Sequence, residues 1–307
     1  MPYFSRNPSF NLFYLDEGPR TATHTILLIT GLSCEMHDWS WQVPFLLSHN
    51  LRVISIDSRG QGKSSAPAPD PTIRTWPGPK KSADPEVIDY YPQSTAEDML
   101  ALLSHLNITK NLIVVSHSLG DAAGYYIATS RPDLVKASIG VDPIHAFPNA
   151  VRERDAYLFD EPDVKDKIVP TLVEFFSTYC YSPECPAWQK TWHLRRMAQF
   201  DGAIMYALCW GGWGDVEHSL GRQENAVKAF EGKLKCPRLT LGSNDWYVAT
   251  DREHLPKGDE SLDEIVLIEG KGHWFHQLES EEFNGHLERW FQKIGVLPVV
   301  EVGAAAL

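Results

Sequence analysis

Three short apolar runs, Thr25–Thr30 (TILLIT), Val53–Ile56 (VISI) and Leu112–Val115 (LIVV), are each stopped by glycine or polar residues. They are rich in β-branched residues and show no polar/apolar alternation, a pattern that suits strands buried on both faces of a parallel sheet. Between the second and third runs, STAEDMLALLSHLN sets Met99, Leu100, Leu102, Leu103 and Leu106 on one face, with Ser94 or Thr95 as the N-cap, and predicts a crossover helix. The alternation continues with a helix from about Ala122 to Ser130, strands at Ala137–Val141, Pro237–Leu241 and Ile265–Ile268, and a closing helix over Glu279–Lys293. Such a chain is expected to fold as an α/β domain with right-handed crossovers. Phe10–Leu15 reads as an antiparallel strand at the sheet edge.

Two stretches interrupt the alternation. Residues 66–93 hold many of the prolines and show no period, so a long surface loop is expected. Residues 145–235 lie between two strands, are too long for one crossover, and contain helical patterns such as WQKTWHLRRMAQF and ENAVKAFEGKL. They are expected to form a tryptophan-rich helical cap, inserted into a core made of residues 1–144 and 236–302. Residues 303–307 (GAAAL) have no packing logic and read as a vector scar.

A formal charge of −12 argues against a nucleic-acid or anionic-membrane surface, and a small-molecule substrate is the expected partner. The N-terminal stretch MPYFSRNPSFNLFYL lacks a basic region followed by a sustained apolar run, and no segment approaches the roughly 20 apolar residues that span a bilayer. A cytoplasmic location is the default expectation. Cys34, Cys180, Cys185, Cys209 and Cys236 are too irregular for a disulfide framework, and no C-x-x-C pair suggests zinc. Cys180 and Cys185 are spaced for one local bridge, but free thiols are expected.

Ligands of α/β sheets collect at the carboxyl ends of the strands, which directs attention to the residues just after each apolar run. Ser118, in VSHSLGD, follows LIVV and precedes a helix that opens with small residues; a strand-to-helix turn there holds a serine hydroxyl clear of the sheet. His273, in LIEGKGHWFHQL, follows the last strand and is placed to take the serine's proton, with His276 as the nearby alternative. Asp245, in LTLGSNDWYV, is the first choice to hold the histidine's other nitrogen, and Asp142, in SIGVDPIH, is the alternative. Gly31 permits a close turn, so the N–H groups of Leu32 and Leu119 are candidates for an oxyanion hole. Trp188, Trp210 and Trp213 from the cap and Tyr125 from the elbow helix are candidates to line the pocket. Each motif also has a structural reading: a capping serine, a core histidine, a turn aspartate, cap-core tryptophans.

Together, the order Ser118, Asp245, His273, the stretch LLITGLS, the stretch IDSRGQGKSS and the ending GHWFHQLESEEF resemble the α/β-hydrolase superfamily over nearly the whole chain. The resemblance implies an eight-stranded sheet under a helical cap, a Ser118–His273–Asp245 triad, no metal and no organic cofactor. It implies a serine hydrolase cleaving an ester, lactone or related acyl bond of a small apolar or aromatic substrate. Three departures stand out: Thr30 before Gly31, Ser116 for the first glycine of the elbow, and Asp121 after Gly120. The V-S-H-S-x-G stretch is also similar to that of cofactor-free 3-hydroxy-4-quinolone 2,4-dioxygenases. That resemblance implies His273 as base, Asp142 as its partner and Ser118 as a positioning group, although Ser33 and Cys34 stand where that family carries a histidine. A third reading is a non-catalytic ligand receptor on the same fold.

Overall fold

The computed structural model describes residues 2–7, 10–69, 89–152, 159, 163–255 and 257–299. Most of the loop expected over 66–93, and all of 303–307, lies outside them. The sheet has eight strands: β1 Tyr3–Asn7, β2 Phe10–Glu17, β3 Thr25–Ile29, β4 Arg52–Ile56, β5 Leu112–His117, β6 Val135–Val141, β7 Arg238–Gly242 and β8 Glu264–Leu267. Their order across the sheet is β1-β2-β4-β3-β5-β6-β7-β8. The β1–β2 and β2–β4 pairs are antiparallel and the remaining pairs are parallel. β1 has no counterpart in the sequence reading: at the edge, with a polar Ser-Arg-Asn end, it lacks an apolar run.

Every residue of β3, β4 and β5 is buried, in keeping with the apolar runs that make up most of each strand. One sheet face packs Leu27, Ile29, Leu112 and Val114 against α2 (Pro92–His105) and α3 (Leu119–Ser130). The other packs Ile26, Leu28, Ile113 and Val115 against Leu46 of α1 (Gln42–Ser48) and against Phe283, Leu287 and Trp290 of the closing helix Ser280–Lys293. α2 begins two residues before the expected cap: Tyr91 is its N-cap, and Pro92 takes the first turn, where a missing N–H costs nothing. Ser94 and Thr95 are therefore inside the helix.

Register brings the strand ends level. His117 pairs with Val141, Val141 with Leu241, and Gly242 with Leu267. Ser118, Asp142 and Ser243 consequently leave the sheet side by side at its carboxyl edge. The stretch IDSRGQGKSS braces this edge from behind. Asp57 accepts from Met36 N (2.7 Å) and Lys63 N (2.8 Å), tying the loop after β3 to the turn after β4. Arg59 donates to Asp98 (2.7 Å) and to the carbonyls of Asp89 and Ser94, fixing the start of α2.

Between β6 and β7 the described residues include the helices α4 (Val164–Tyr179), α5 (Ala187–Ala198), α6 (Gly202–Cys209) and α7 (Gln223–Phe230), with a π-helical turn at Trp210–Gly214. Arg196 of α5 clamps Asp38 with two bonds, 2.9 and 3.0 Å, and so ties the insertion to the loop after β3. Tyr181 pairs with Gly272 and stacks on Trp274 at 5.1 Å. Among the described residues no helix is long and apolar enough to cross a membrane. All five cysteines, Cys180 and Cys185 included, are free.

Asp98 is buried and receives both Arg59 and Arg6. Asp98→Ala removes the carboxylate bonded to the Arg59 guanidinium, leaving it only the more distant Asp89 carboxylate at 3.8 Å, and is expected to lower unfolding stability by about 3–5 kcal/mol in urea titration. A loss below about 1 kcal/mol would show that the pair does not hold α2.

Candidate active site

Ser118 has φ 54° and ψ −122°, a conformation a non-glycine residue adopts only when its surroundings hold it there. Its N–H donates to Val141 O (2.9 Å) and its carbonyl accepts from Asp121 N (3.0 Å) and Ile144 N (3.3 Å). The turn also needs empty space around it. A Cβ on Gly31 would lie 2.9 Å from Ser118 Cβ, and one on Gly120 would run into Thr30 O. These two glycines let the loop after β3 lie against the elbow. Leu32 and Leu119 flank the turn, and among the described residues no backbone carbonyl accepts from either N–H. Leu119 N–H belongs to the first turn of α3, where the helix end adds a partial positive charge.

Asp142, not Asp245, meets His273. The Asp142 carboxylate accepts from His273 Nδ1 (3.0 Å), from Ser243 N (2.6 Å) and from Ser243 Oγ (2.7 Å), and it is fully buried. With a carboxylate as acceptor, Nδ1 carries the proton, and Nε2 is left as the free base. Asp245 is corrected by its local structure. After β7, Ser243 turns toward Asp142 and Asn244 caps the next helix, α8 (Asp245–Glu253), by accepting from Tyr247 N. Asp245 is thus the first residue of a helix, 66% exposed and paired with Arg252 at 2.9 Å.

His273 is held from two more sides. Its N–H donates to Cys180 O at the end of α4 (2.8 Å), and its carbonyl accepts from His117 Nε2 (2.9 Å). Tyr247 stacks on its ring at 5.6 Å and 25°. His276 faces inward instead, against Trp39 and His117, and does not reach the cavity.

Ser118, Asp142, His273 and Leu32 line one cavity of about 200 Å³, which the insertion closes with Leu172, Phe175 and Phe176 of α4 and with Trp213. Phe147 and Tyr247 complete the aromatic wall, and Arg152 is the one Lys or Arg among the described lining residues. The Arg152 guanidinium sits 4.2 Å from the Phe147 ring centre and 5.3 Å from that of Trp213. Of the four expected aromatic lining residues, only Trp213 is in the wall. Trp188 is 58% exposed and stacks on Trp41. Trp210 packs on Phe159 and Tyr206, and Tyr125 is buried between Phe230 and Arg238. The π-helical turn explains the split between the two tryptophans: consecutive glycines and the wider winding put Trp210 against Phe159 and Tyr206 and put Trp213 in the cavity wall. Cys180 also borders the cavity, but burial pushes its thiol up to about 12, so it stays protonated.

A family model described as the alpha/beta hydrolase family matches residues 26–285, a span that contains the elbow, both carboxylates and His273. The chain belongs to the alpha/beta hydrolase family. Over 145 residues it is 28% identical to a bifunctional esterase/perhydrolase of Acinetobacter calcoaceticus, covering 47% of this chain and 45% of that one. The chain thus spans less than half the length of that relative. It is 21% identical over 301 residues to an (E)-2-((N-methylformamido)methylene)succinate hydrolase of Acinetobacter baylyi, covering 94% and 96% of the two chains. An esterase structure from Exiguobacterium antarcticum shares the fold, with a TM-score of 0.71 at 16% identity over 94% of this chain and 98% of that one.

Three histidines beside this site are neutral. Burial pushes His276 down to about 3, His193 down to about 4, and His117 well below its ordinary value, with the His273 ring opposing charge on each. In the unfolded chain each returns to about 6.5. As pH falls from about 6.5 toward 4 the unfolded chain therefore binds more protons than the folded one, and stability falls by about 1.4 kcal/mol per pH unit per histidine. Neither ring nitrogen of His276 has a hydrogen-bond partner among the described residues. His276→Phe should flatten the decline of the urea midpoint between pH 6.5 and 4.5, and an unchanged slope would contradict the assignment.

Proposed function

We propose that this hydrolase cleaves the ester, lactone or related acyl bond of a small apolar or aromatic substrate through a covalent acyl-enzyme on Ser118. The observation that carries the reading is a His273–Asp142 pair facing a serine on a strained elbow across one cavity, with two N–H groups beside that serine. Relatives named esterase and hydrolase support it.

His273 Nε2 takes the Ser118 proton as Oγ bonds to the acyl carbon. Leu32 N–H and Leu119 N–H hold the negative oxygen of the tetrahedral intermediate. The imidazolium, stabilised by Asp142, then gives its proton to the leaving oxygen as the carbon–oxygen bond breaks. A water enters, loses a proton to His273, and attacks the acyl carbon; the proton returns to Ser118 and the carboxylic acid leaves. Among the described residues no hydrogen bond joins Ser118 to His273, and the proposed reaction requires that bond to form when substrate fills the cavity both residues line. The aromatic wall favours a flat apolar group on the substrate.

A second reading has one observation of its own. The partner of His273 comes from the end of β6, the position that the cofactor-free dioxygenase reading assigns to the acid. In that chemistry His273 deprotonates a substrate hydroxyl and Ser118 only positions it.

Variants assayed on 4-nitrophenyl butyrate separate the two. Ser118→Ala and His273→Ala are each expected to lower kcat by at least about 10³-fold, and Asp142→Asn by about 10²–10⁴-fold. Asp245→Asn is expected to stay within about twofold of the parent. If Ser118→Ala keeps turning over its substrate while the protein consumes oxygen with a 3-hydroxy-4-quinolone, the acyl-enzyme is wrong.

A further inference from the structure

Behind the catalytic edge, and outside the cavity, lies a buried polar chain that the proposed reaction does not use. Ser116 Oγ donates to Asp121 Oδ1 (2.8 Å) and to Ile139 O (3.2 Å). Asp121 Oδ2 is 3.4 Å from His145 Nδ1, an ion contact rather than a hydrogen bond. His145 Nε2 is 2.7 Å from Asp251 Oδ1. Thr240 Oγ1 donates to the other Asp251 oxygen, and Arg238 donates to Asp251 O (2.9 Å) and to Tyr125 OH (3.1 Å). Ser116, Asp121, His145, Thr240 and Asp251 are all nearly fully buried. Two glycines leave room for the chain. A Cβ on Gly124 would lie 2.6 Å from Ser116 Oγ, and one on Gly140 would lie 2.7 Å from Asp121 Oδ1.

The two departures from the ordinary elbow, Ser116 and Asp121, are thus one feature. Both ring nitrogens of His145 face carboxylate oxygens, an arrangement that suits an imidazolium with two N–H groups. Two buried carboxylates facing a neutral ring and one arginine would leave a charge uncompensated. The pull of Asp251 and Asp121 raises His145 against the effect of burial, which agrees with the geometry.

The location of His145 gives the chain a task. It lies three residues after Asp142, in the turn Ile144–Ala146, and Asp142 itself sits at φ 43°, a left-handed conformation that its surroundings must hold. Asp121 belongs to α3, which starts at the elbow. Asp251 belongs to α8, which carries Tyr247 over His273. His145 therefore bolts the acid's loop to the nucleophile's helix and to the helix that covers the base.

We propose that His145, held as an imidazolium between Asp251 and Asp121, is a positioning residue that sets Asp142 and through it the orientation of His273. The proposal rests on Asp142–His273 being the working pair. Two measurements test it. In a double-mutant cycle, His145→Gln is expected to lower kcat on 4-nitrophenyl butyrate by about 10–100-fold with KM within about threefold. In the Asp142→Asn background the same change should cost less than about twofold, because its route is already cut. Equal losses in both backgrounds would overturn the proposal. If Asp142→Asn alone leaves kcat unchanged, it is the reading of the working pair that fails.

Nitrogen-15 spectra of histidine-labelled protein need no substrate, and the protonation of His145 is read in the parent protein itself. At pH 7.5 both ring nitrogens of His145 should appear protonated, and Asp121→Asn should shift the His273 Nδ1–H signal. A neutral His145 ring, or a His273 signal that does not respond, would overturn the proposal.

Discussion

The fully buried carboxylate of Asp142 is the group on which the catalytic edge depends. A charge taken out of water must be met by donors, and here Ser243 supplies two and His273 a third. Those bonds fix the β6 loop to the end of β7 and leave His273 only one orientation, with Nε2 toward the cavity. Parallel register makes this local arrangement available, because it sets the ends of β5, β6 and β7 level before any side chain acts.

The helical insertion is coupled to the chemistry by more than cover. The carbonyl that accepts from His273 N–H belongs to Cys180 at the end of α4, and Tyr181 continues the contact by pairing with Gly272. His117, next to Ser118, grips the carbonyl of the same histidine. His273 is therefore placed jointly by the elbow, Asp142 and the insertion. A shift in α4 moves both the wall residues Leu172 and Phe176 and the backbone of His273.

Much of this was legible in the sequence because the central strands are pure apolar runs and the strand-end residues carry distinctive chemistry. The eight-stranded mostly parallel sheet follows from that pattern and from family resemblance, and the same strand ends single out Ser118 and His273 as candidates. Asp245 was misread because a strand followed by a few polar residues and an aspartate does not reveal where the next helix starts. Asn244 as N-cap turns Asp245 outward, and Ser243 takes the place beside Asp142. The aromatic wall was poorly legible for a related reason: Trp210 and Trp213 are three apart, a spacing that puts both on one side of an α-helix, whereas the π turn separates them. His117 lay inside the quoted VSHSLGD stretch, and its grip on His273 needed the distance between two loops 156 residues apart.

Ser116 and Asp121 first appear as flaws in an elbow motif. In the fold they are the near end of a buried chain that reaches Arg238, and Gly124 and Gly140 are the space it occupies. The central claim, that Ser118 is the nucleophile, is tested most directly by peptide mass spectrometry after treatment with an alkyl fluorophosphonate. The predicted result is one adduct, on the peptide carrying Ser118, that forms in the parent protein and not in His273→Ala. Undiminished turnover with Ser118 unmodified would contradict it.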